Sequence, residues 1–294
     1  MTPHANRTYL FTPGNHARRV EKALQLKADV VILDLEDAVA IAEKVATRTT
    51  IQEVLTRPRD CAVYVRVNAY ETEYCYGDIC SVLGKNLDGI VLPKLESAAD
   101  LQSIDWLMSN LEEERGLEDG SIDLMPIIET AKGADAVRDI AQIKSRVKRL
   151  SLGGGDYTRD MGIEWTNDEL ALLPIRSEMV LASRLGGLEP PIDTVFLHIK
   201  EHCAYQQTCV RARGLGFGGK LCIHPDQVNP TNAVFTPTDE VITWSQKIVD
   251  EFEKAEKEGL ASIQVDGYFV DYPIVEKALR DIRTIELLRL LGKA

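Results

Sequence analysis

VVILDLEDAV, residues 30–39, decides how the rest of the chain is read. Its first half is almost continuously apolar, as a strand buried on both faces of a sheet must be. Asp34, Glu36 and Asp37 then crowd its end. Short β-prone runs of similar length recur at Thr8–Thr12 (TYLFT), Val63–Val67 (VYVRV), Gly89–Leu92 (GIVL) and Asp123–Ile128 (DLMPII). Three more follow at Arg149–Leu152 (RLSL), Thr194–Leu197 (TVFL) and Lys220–Ile223 (KLCI). Helical patterns at Ala17–Leu26, Ala38–Leu55 and Ser97–Glu114 lie between them. Strand alternating with helix implies βαβ units and a parallel sheet, and eight such strands can close on themselves. The pattern therefore predicts an α/β fold, a (β/α)₈ TIM-type barrel. No dinucleotide-binding glycine pattern opens the first unit, which argues against an open doubly wound sheet.

The chain after Pro225 reads differently. Pro237–Lys257 carries Val241, Trp244, Ile248, Phe252 and Ala255 at helical spacing, with Thr236 as the expected N-cap and Pro237 at the first helical position. Ser262–Asp271 (SIQVDGYFVD) places Asp-Gly between two β-prone runs, the signature of a hairpin. Pro273 opens a last helix to about Leu291. We expect a barrel domain over residues 1–225 and a C-terminal helical and hairpin extension, a lid, over 226–294.

Composition narrows the function classes. The net charge of −12 opposes binding to nucleic acid, whose phosphates demand a basic surface. The six cysteines form no CxxC pair, so a zinc ribbon or a thioredoxin-like site is not expected, and Cys222 reads as a small core residue. No apolar run reaches the length of a membrane span, and MTPHANRTYLFTPGN lacks the apolar core of a signal peptide. A cytoplasmic setting is the resulting expectation.

Charged residues gather just after the strand ends. Arg66 and Asn68 close the third strand, Lys94 the fourth, Glu129 the fifth and Gly153-Gly154-Gly155-Asp156 the sixth, with His224 after the eighth. In a barrel these ends share the face that carries active sites. Glu129 and Asp156 come from successive strands, so their carboxylates can converge; two protein oxygens completed by water and ligand suit Mg²⁺. The alternative for either acid is a salt bridge on the barrel rim. Arg66, inside an apolar strand, must pair or bind an anion. Asp34 or Glu36 is its natural partner, so these acids and Asp37 are read as orienting groups rather than metal ligands. His198-Ile-Lys-Glu201-His202 spells HxxEH, but His198 falls near a strand end, where the one-helix geometry of a zinc site breaks.

FTPGN (11–15), VILDLEDAV (31–39), VYVRVN (63–68), VLPKLESAADL (91–101), PIIET (126–130), GGGDYTRDMG, GFGGKLCIHPDQV (216–228) and DGYFVDYP (266–273) occur in order. Together they resemble the citrate lyase beta-subunit family, which includes malyl-, citramalyl- and citryl-CoA lyases. The resemblance implies a Mg²⁺-dependent carbon–carbon lyase, with Mn²⁺ a substitute, that cleaves or forms a 3-hydroxyacyl-CoA thioester from a 2-oxo acid and acetyl-CoA or a related acyl-CoA. Coenzyme A is then part of the substrate. By motif position Glu129 and Asp156 hold the metal, Arg66 binds substrate and stabilises an enolate oxygen, and Asp271 of DGYFVD exchanges the proton at carbon. The resemblance also implies a homotrimer or hexamer whose lid reaches a neighbouring subunit. Arg18, Arg19 and Lys94 are candidates for the coenzyme A phosphates. Two alternatives stay open: a citrate lyase beta subunit receiving its thioester on an acyl carrier protein, and a metal-dependent aldolase on free oxo acids. FLHIKEHCAYQQTC (196–209) departs from the family pattern, which often has acidic residues there.

Overall fold

The computed structural model describes residues 6–293, which divide into two compact units, Asn6–Ala233 and a second from Val234 onward. In the first, eight parallel strands close into a barrel: β1 (Thr8–Pro13), β2 (Val30–Asp34), β3 (Ala62–Arg66), β4 (Gly89–Leu92), β5 (Asp123–Ile128), β6 (Ser151–Leu152), β7 (Ile192–Asp193) and β8 (Gly219–Cys222). β8 pairs back onto β1 through Thr8↔Lys220, Tyr9↔Leu221 and Leu10↔Cys222. The expected TIM-type barrel is the fold observed.

Alternation along each strand divides the side chains between two environments. Tyr9, Val30, Ile32, Tyr64, Val91, Met125, Ile127, Ile192 and Leu221 pack together as one buried cluster. Val31 and Leu33 are equally buried on the other side of β2, which is why VVILD reads as uniformly apolar. Cys222 is fully buried, as its apolar surroundings in the sequence suggested.

Two strands are shorter than their β-propensity predicts. β7 is Ile192–Asp193, not Thr194–Leu197. Beyond Asp193 the chain leaves the sheet: Thr194 Oγ1 accepts from Gly154 N at 2.7 Å, and Phe196 is buried with its carbonyl accepting from Gln227 Nε2 at 2.9 Å. Tertiary partners thus overrule the β-branched run. β6 starts at Ser151 because Arg149 is drawn into a buried cluster, donating to Asp123 Oδ2 at 2.5 Å and to Glu189 Oε2 at 2.8 Å. The predicted helix at Ala38–Leu55 begins as a 3₁₀ turn, Ile41–Glu43, and continues as an α-helix from Lys44 to Leu55. Ser97 caps the helix Ala98–Glu114 by accepting from Asp100 N.

The second unit holds the hairpin β9 (Ser262–Val265) and β10 (Tyr268–Asp271) and the helices Asp239–Lys257 and Tyr272–Leu290. Its core is Ile248, Val249, Phe252, Val265, Val270 and Ala278. Asp266 (φ 47°) and Gly267 (φ 82°) both take left-handed backbone, as the two central residues of a type I′ hairpin turn require. The first of its helices is capped by Thr238, two residues later than the expected Thr236; its Oγ1 accepts from Val241 N, and Asp239 and Glu240 occupy the positively polarised first turn. No helix among the described residues is long and apolar enough to cross a membrane.

Between β7, β8 and the helix Leu173–Leu185 lies a buried ionic cluster. Asp193 accepts from Lys220 Nζ at 2.5 Å and from Arg176 Nε at 2.8 Å, and Arg176 Nη2 also reaches Glu169 at 2.7 Å. All four side chains are at most 1% exposed. Lys220 is therefore committed to the scaffold. Asp193→Ala would take the acid from Lys220 and leave Arg176 with Glu169 alone, and is expected to cost about 3–5 kcal/mol of stability, measured by urea denaturation.

Candidate active site

β2 and β3 are in register with Asp34 opposite Arg66. Asp34 Oδ1 accepts from Arg66 Nε at 2.7 Å and Oδ2 from Nη2 at 2.6 Å, a bidentate pair. The third guanidinium nitrogen, Nη1, lies 3.0 Å from Glu36 Oε2, and the whole group sits over the Phe11 ring at 4.8 Å. Burial disfavours the arginine's charge, but Asp34, Glu36 and Glu129 hold its pKa above the ordinary arginine value. Burial also works against the charge on Asp34, yet Arg66 and the backbone N–H groups of Glu36 and Ala38 hold that carboxyl below its ordinary value.

The backbone carrying Glu36 is anchored from behind. Lys44 Nζ donates to Leu35 O at 3.0 Å, Glu36 O at 2.7 Å and Asn68 Oδ1 at 2.6 Å. Asn68 Nδ2 in turn donates to Asp78 Oδ2 at 2.6 Å, and Arg48 closes the chain onto Asp78. All of these groups lie on the loop or helix that follows a strand, so the barrel itself sets their convergence.

Lys94 is held in left-handed backbone, φ 50°, and from there acts twice. Its N–H donates to Glu129 Oε1 at 2.9 Å. Its ammonium bonds Glu36 and lies 3.8 Å from Asp37 and 3.7 Å from Asp156. Asp156 also pairs with Arg159, Oδ1 to Nη2 at 2.7 Å, so the rim salt bridge weighed as an alternative is present in this structure. Gly153 leaves the space that Glu129 needs: a Cβ there would stand 2.1 Å from Glu129 Oε2.

Several of these groups line one cavity of about 480 Å³, among them Asp34, Asp37, Arg66, Glu129, the glycines 153–155 and Asp156. Phe11, Ile127, Val195, Leu221 and Ile223 form the apolar part of its wall, and Arg19 reaches it from the helix Ala17–Leu24. Arg18 is exposed on the same helix. Asp271 belongs to the second unit, at the end of β10 and the start of the last helix, and is partly exposed. His198 lies in a loop and His202 is the first residue of a helix, so HxxEH does not share a helical face.

Around the cavity five carboxylates (Asp34, Glu36, Asp37, Glu129, Asp156) face four cations (Arg19, Arg66, Lys94, Arg159). The surplus shows at Glu129. Burial, then the charge of Glu36, push its carboxyl up to about 8, with Asp156 adding to the rise and Arg66 and Lys94 opposing it. Burial likewise raises Glu36, opposed by Arg66 and Lys94. An oxygen-only, over-negative pair, Glu129 buried and Asp156 partly exposed, fits a hard divalent cation. No group of three or more His, Cys, Asp or Glu among the described residues is arranged to hold a metal, so water and ligand oxygens would have to complete the shell. Sequence reasoning missed Phe11, Thr194, Lys44 and Asp78. Only the inward period of β1 pointed to Phe11, and nothing local marked the other three.

A family model described as HpcH/HpaI aldolase/citrate lyase matches residues 7–225. The citrate lyase subunit beta of Escherichia coli (strain K12) is 31% identical over 283 residues, covering 96% of this chain and 93% of the relative. A (3S)-malyl-CoA thioesterase of Cereibacter sphaeroides is 33% identical over 274 residues, covering 91% and 90%. Among solved structures, the protein CitE from Mycobacterium tuberculosis in complex with magnesium, acetoacetate and coenzyme A matches with a TM-score of 0.77 and 28% identity, covering 97% of this chain and 99% of that one.

The raised Glu129 makes a pH prediction for the metal-free protein. Its folded pKa lies above the ordinary 4.5, so its contribution to stability is complete below pH 4.5 and is lost as pH rises through about 8. Glu129→Gln escapes that loss. In EDTA it should match the parent near pH 4.5 and exceed it by up to about 4 kcal/mol near pH 8, read by denaturation. Mg²⁺ should stabilise the parent and not this variant. Gly153→Ala, by displacing Glu129, should weaken the same Mg²⁺-dependent stabilisation at least about tenfold in apparent affinity.

Proposed function

Since the chain belongs to the HpcH/HpaI aldolase/citrate lyase family, we propose that it is a Mg²⁺-dependent carbon–carbon lyase acting on a 3-hydroxyacyl-CoA thioester. The products of cleavage are a 2-oxo acid and acetyl-CoA or a related acyl-CoA, and condensation is the reverse. The observation that carries the reading is the carboxylate surplus at Glu129 and Asp156, facing the same cavity as a rigidly held Arg66. The relative crystallised with magnesium, acetoacetate and coenzyme A supports the same ligand set here.

Glu129 and Asp156 would hold the metal, with Mn²⁺ able to replace Mg²⁺; the ion supplies Lewis-acid polarisation of the oxo acid's carboxylate and carbonyl oxygens. Asp156 would exchange its contact with Arg159 for that role. Arg66 cannot turn, because Asp34 grips two of its nitrogens and Phe11 lies beneath it. Its Nη1 edge, beside Glu36, is the donor that meets the enolate oxygen of the acyl group. Pre-organisation matters here because a carboxylate is a weak base for the carbon acid. Asp271 would take or return the proton at that carbon. We read the hairpin as a lid, supported by the DGYFVD motif and by Tyr268 and Phe269, which are exposed. The lid would complete a neighbouring subunit's site in a homotrimer or hexamer. Arg18 and Arg19 are the better placed groups for the coenzyme A phosphates, since Lys94 is engaged by Glu36.

A second reading has its own support: relatives covered over more than nine-tenths of their length are named citrate lyase subunit beta. Under it the thioester arrives on an acyl carrier protein. Turnover of free CoA thioesters without carrier protein decides between the two, and we expect it. EDTA should abolish that turnover, with Mg²⁺ or Mn²⁺ restoring it. Asp271→Asn should lower kcat at least about 100-fold with oxo-acid binding retained. Undiminished turnover in this variant removes Asp271 from the mechanism.

A further inference from the structure

The helix Gly154–Met161 begins without a cap of its own, and the cap it receives comes from another strand end. Gly153, at the N-cap position, has no side chain to accept from the first N–H groups, which find no partner inside a helix. A side chain cannot stand there, because a Cβ on Gly153 would lie 2.6 Å from Glu129 Cβ and 2.1 Å from Glu129 Oε2. Gly154 N donates instead to Thr194 Oγ1 at 2.7 Å. Thr194 follows directly on β7, 40 residues further along the chain, and is fully buried. The approach is close: a Cβ on Gly154 would stand 2.9 Å from Thr194 Oγ1, 3.1 Å from its Cγ2 and 3.2 Å from Leu172 Cδ1.

Thr194 is itself held on both sides. Asp193, before it, accepts from Lys220 Nζ at 2.5 Å and from Arg176 Nε at 2.8 Å. Phe196, two residues after it, is buried, and its carbonyl accepts from Gln227 Nε2 at 2.9 Å. The hydroxyl is thus fixed to the frame of the barrel. What it fixes in turn is the start of a helix whose third residue is Asp156. Gly153 N donates to Ile128 O, the residue before Glu129, at 3.0 Å. That bond ties the two carboxylate-bearing segments once, and the Thr194 hydroxyl anchors the second of them from the other side.

We propose that Thr194 is a positioning residue for the carboxylate pair Glu129 and Asp156, an inference that rests on the metal reading of that pair. It acts through the Gly154 N–H, by setting where the first turn that carries Asp156 stands relative to Glu129. Mg²⁺ demands near-ideal octahedral geometry at short distances, so its affinity is sensitive to a small shift of that turn. Ca²⁺ is larger, takes flexible coordination and tolerates the same shift. Thr194→Val keeps the shape of the side chain and removes the acceptor, leaving the buried Gly154 N–H against a methyl group. Thr194→Ser keeps the acceptor.

The test measures Mg²⁺ and Ca²⁺ binding to the full chain by calorimetry without substrate, and stability by urea denaturation in EDTA. Thr194→Val is expected to bind Mg²⁺ about tenfold more weakly than the parent and Ca²⁺ within about threefold of it. Thr194→Ser should stay within about threefold of the parent for both ions. Ile140→Val, a truncation of a buried side chain in the outer helix Val137–Gln142, lowers stability and should leave both affinities unchanged, which separates positioning from loss of stability. Thr194→Ala removes the same acceptor without setting a methyl group against the N–H, and is held to the same expectation if the valine variant does not fold. Mg²⁺ binding to the acceptor-less variant as tight as to the parent overturns the inference. So does a loss in Thr194→Ser as large as in Thr194→Val, or a loss shared equally by Mg²⁺ and Ca²⁺. In each of these cases the metal reading stands, because the parent binds Mg²⁺. A parent that binds no Mg²⁺ removes the metal reading, and the inference falls with it.

Discussion

The pairing of Asp34 with Arg66 is the constraint on which the candidate site depends. The two residues are register partners at the ends of neighbouring strands, so closing the barrel brings them together without any loop having to search for the contact. A guanidinium in an apolar strand would be untenable alone. With Asp34 bidentate, Glu36 beside its third nitrogen and the Phe11 ring beneath, it becomes a charge fixed in direction. The loop that delivers Glu36 is tied down by Lys44, Asn68 and Asp78, all buried. Two acids and a backbone network thus spend their hydrogen-bonding capacity on the direction of a single arginine.

That arrangement leaves Glu129 without a cation of its own. Arg66 and Lys94 both lower its pKa, but burial and the neighbouring acids outweigh them. Lys94 contributes through its backbone N–H and directs its ammonium to Glu36 instead. The left-handed backbone at Lys94 makes this division possible, and a non-glycine residue there is held at some conformational cost. Such cost is tolerated where the surrounding structure over-determines the geometry, and it adds to the case that this rim is functional ground.

The barrel was legible because its signal is redundant. Eight runs repeat one pattern, and misplacing β7 by two residues did not change the count. What was misplaced there has a common cause. Thr194 and Phe196 have strand-like side chains, but their partners, Gly154 and Gln227, come from distant segments that no local window contains. The cap at Thr238 rather than Thr236 separates two threonines two residues apart, which only the hydrogen bond to Val241 N distinguishes. In the site, residues at strand ends were readable because topology alone gathers them. Phe11, Lys44 and Asp78 were not, since their contribution is contact with a group that had to be located first. Asp156 was readable as an acid on the rim, but its pairing with Arg159, one helical turn onward, was not singled out.

Two buried ion clusters in one barrel show why burial of charge alone is a poor guide to function. Around Asp193 the signs balance, with Lys220 and Arg176 against Asp193 and Glu169, and the acid's pKa is held low: burial opposes its charge, and the two cations overcome that. The geometry of that cluster locks β7 and β8 to the helix outside them. At the opposite extreme, the strand-end cluster is acid-heavy and opens on a cavity, and its buried carboxyl at Glu129 is displaced towards neutrality. The first cluster is held by its own opposed charges. The second carries an excess of acid, and in the proposed reading that imbalance, rather than burial or proximity to a strand end, is what separates a site from a structural ion pair.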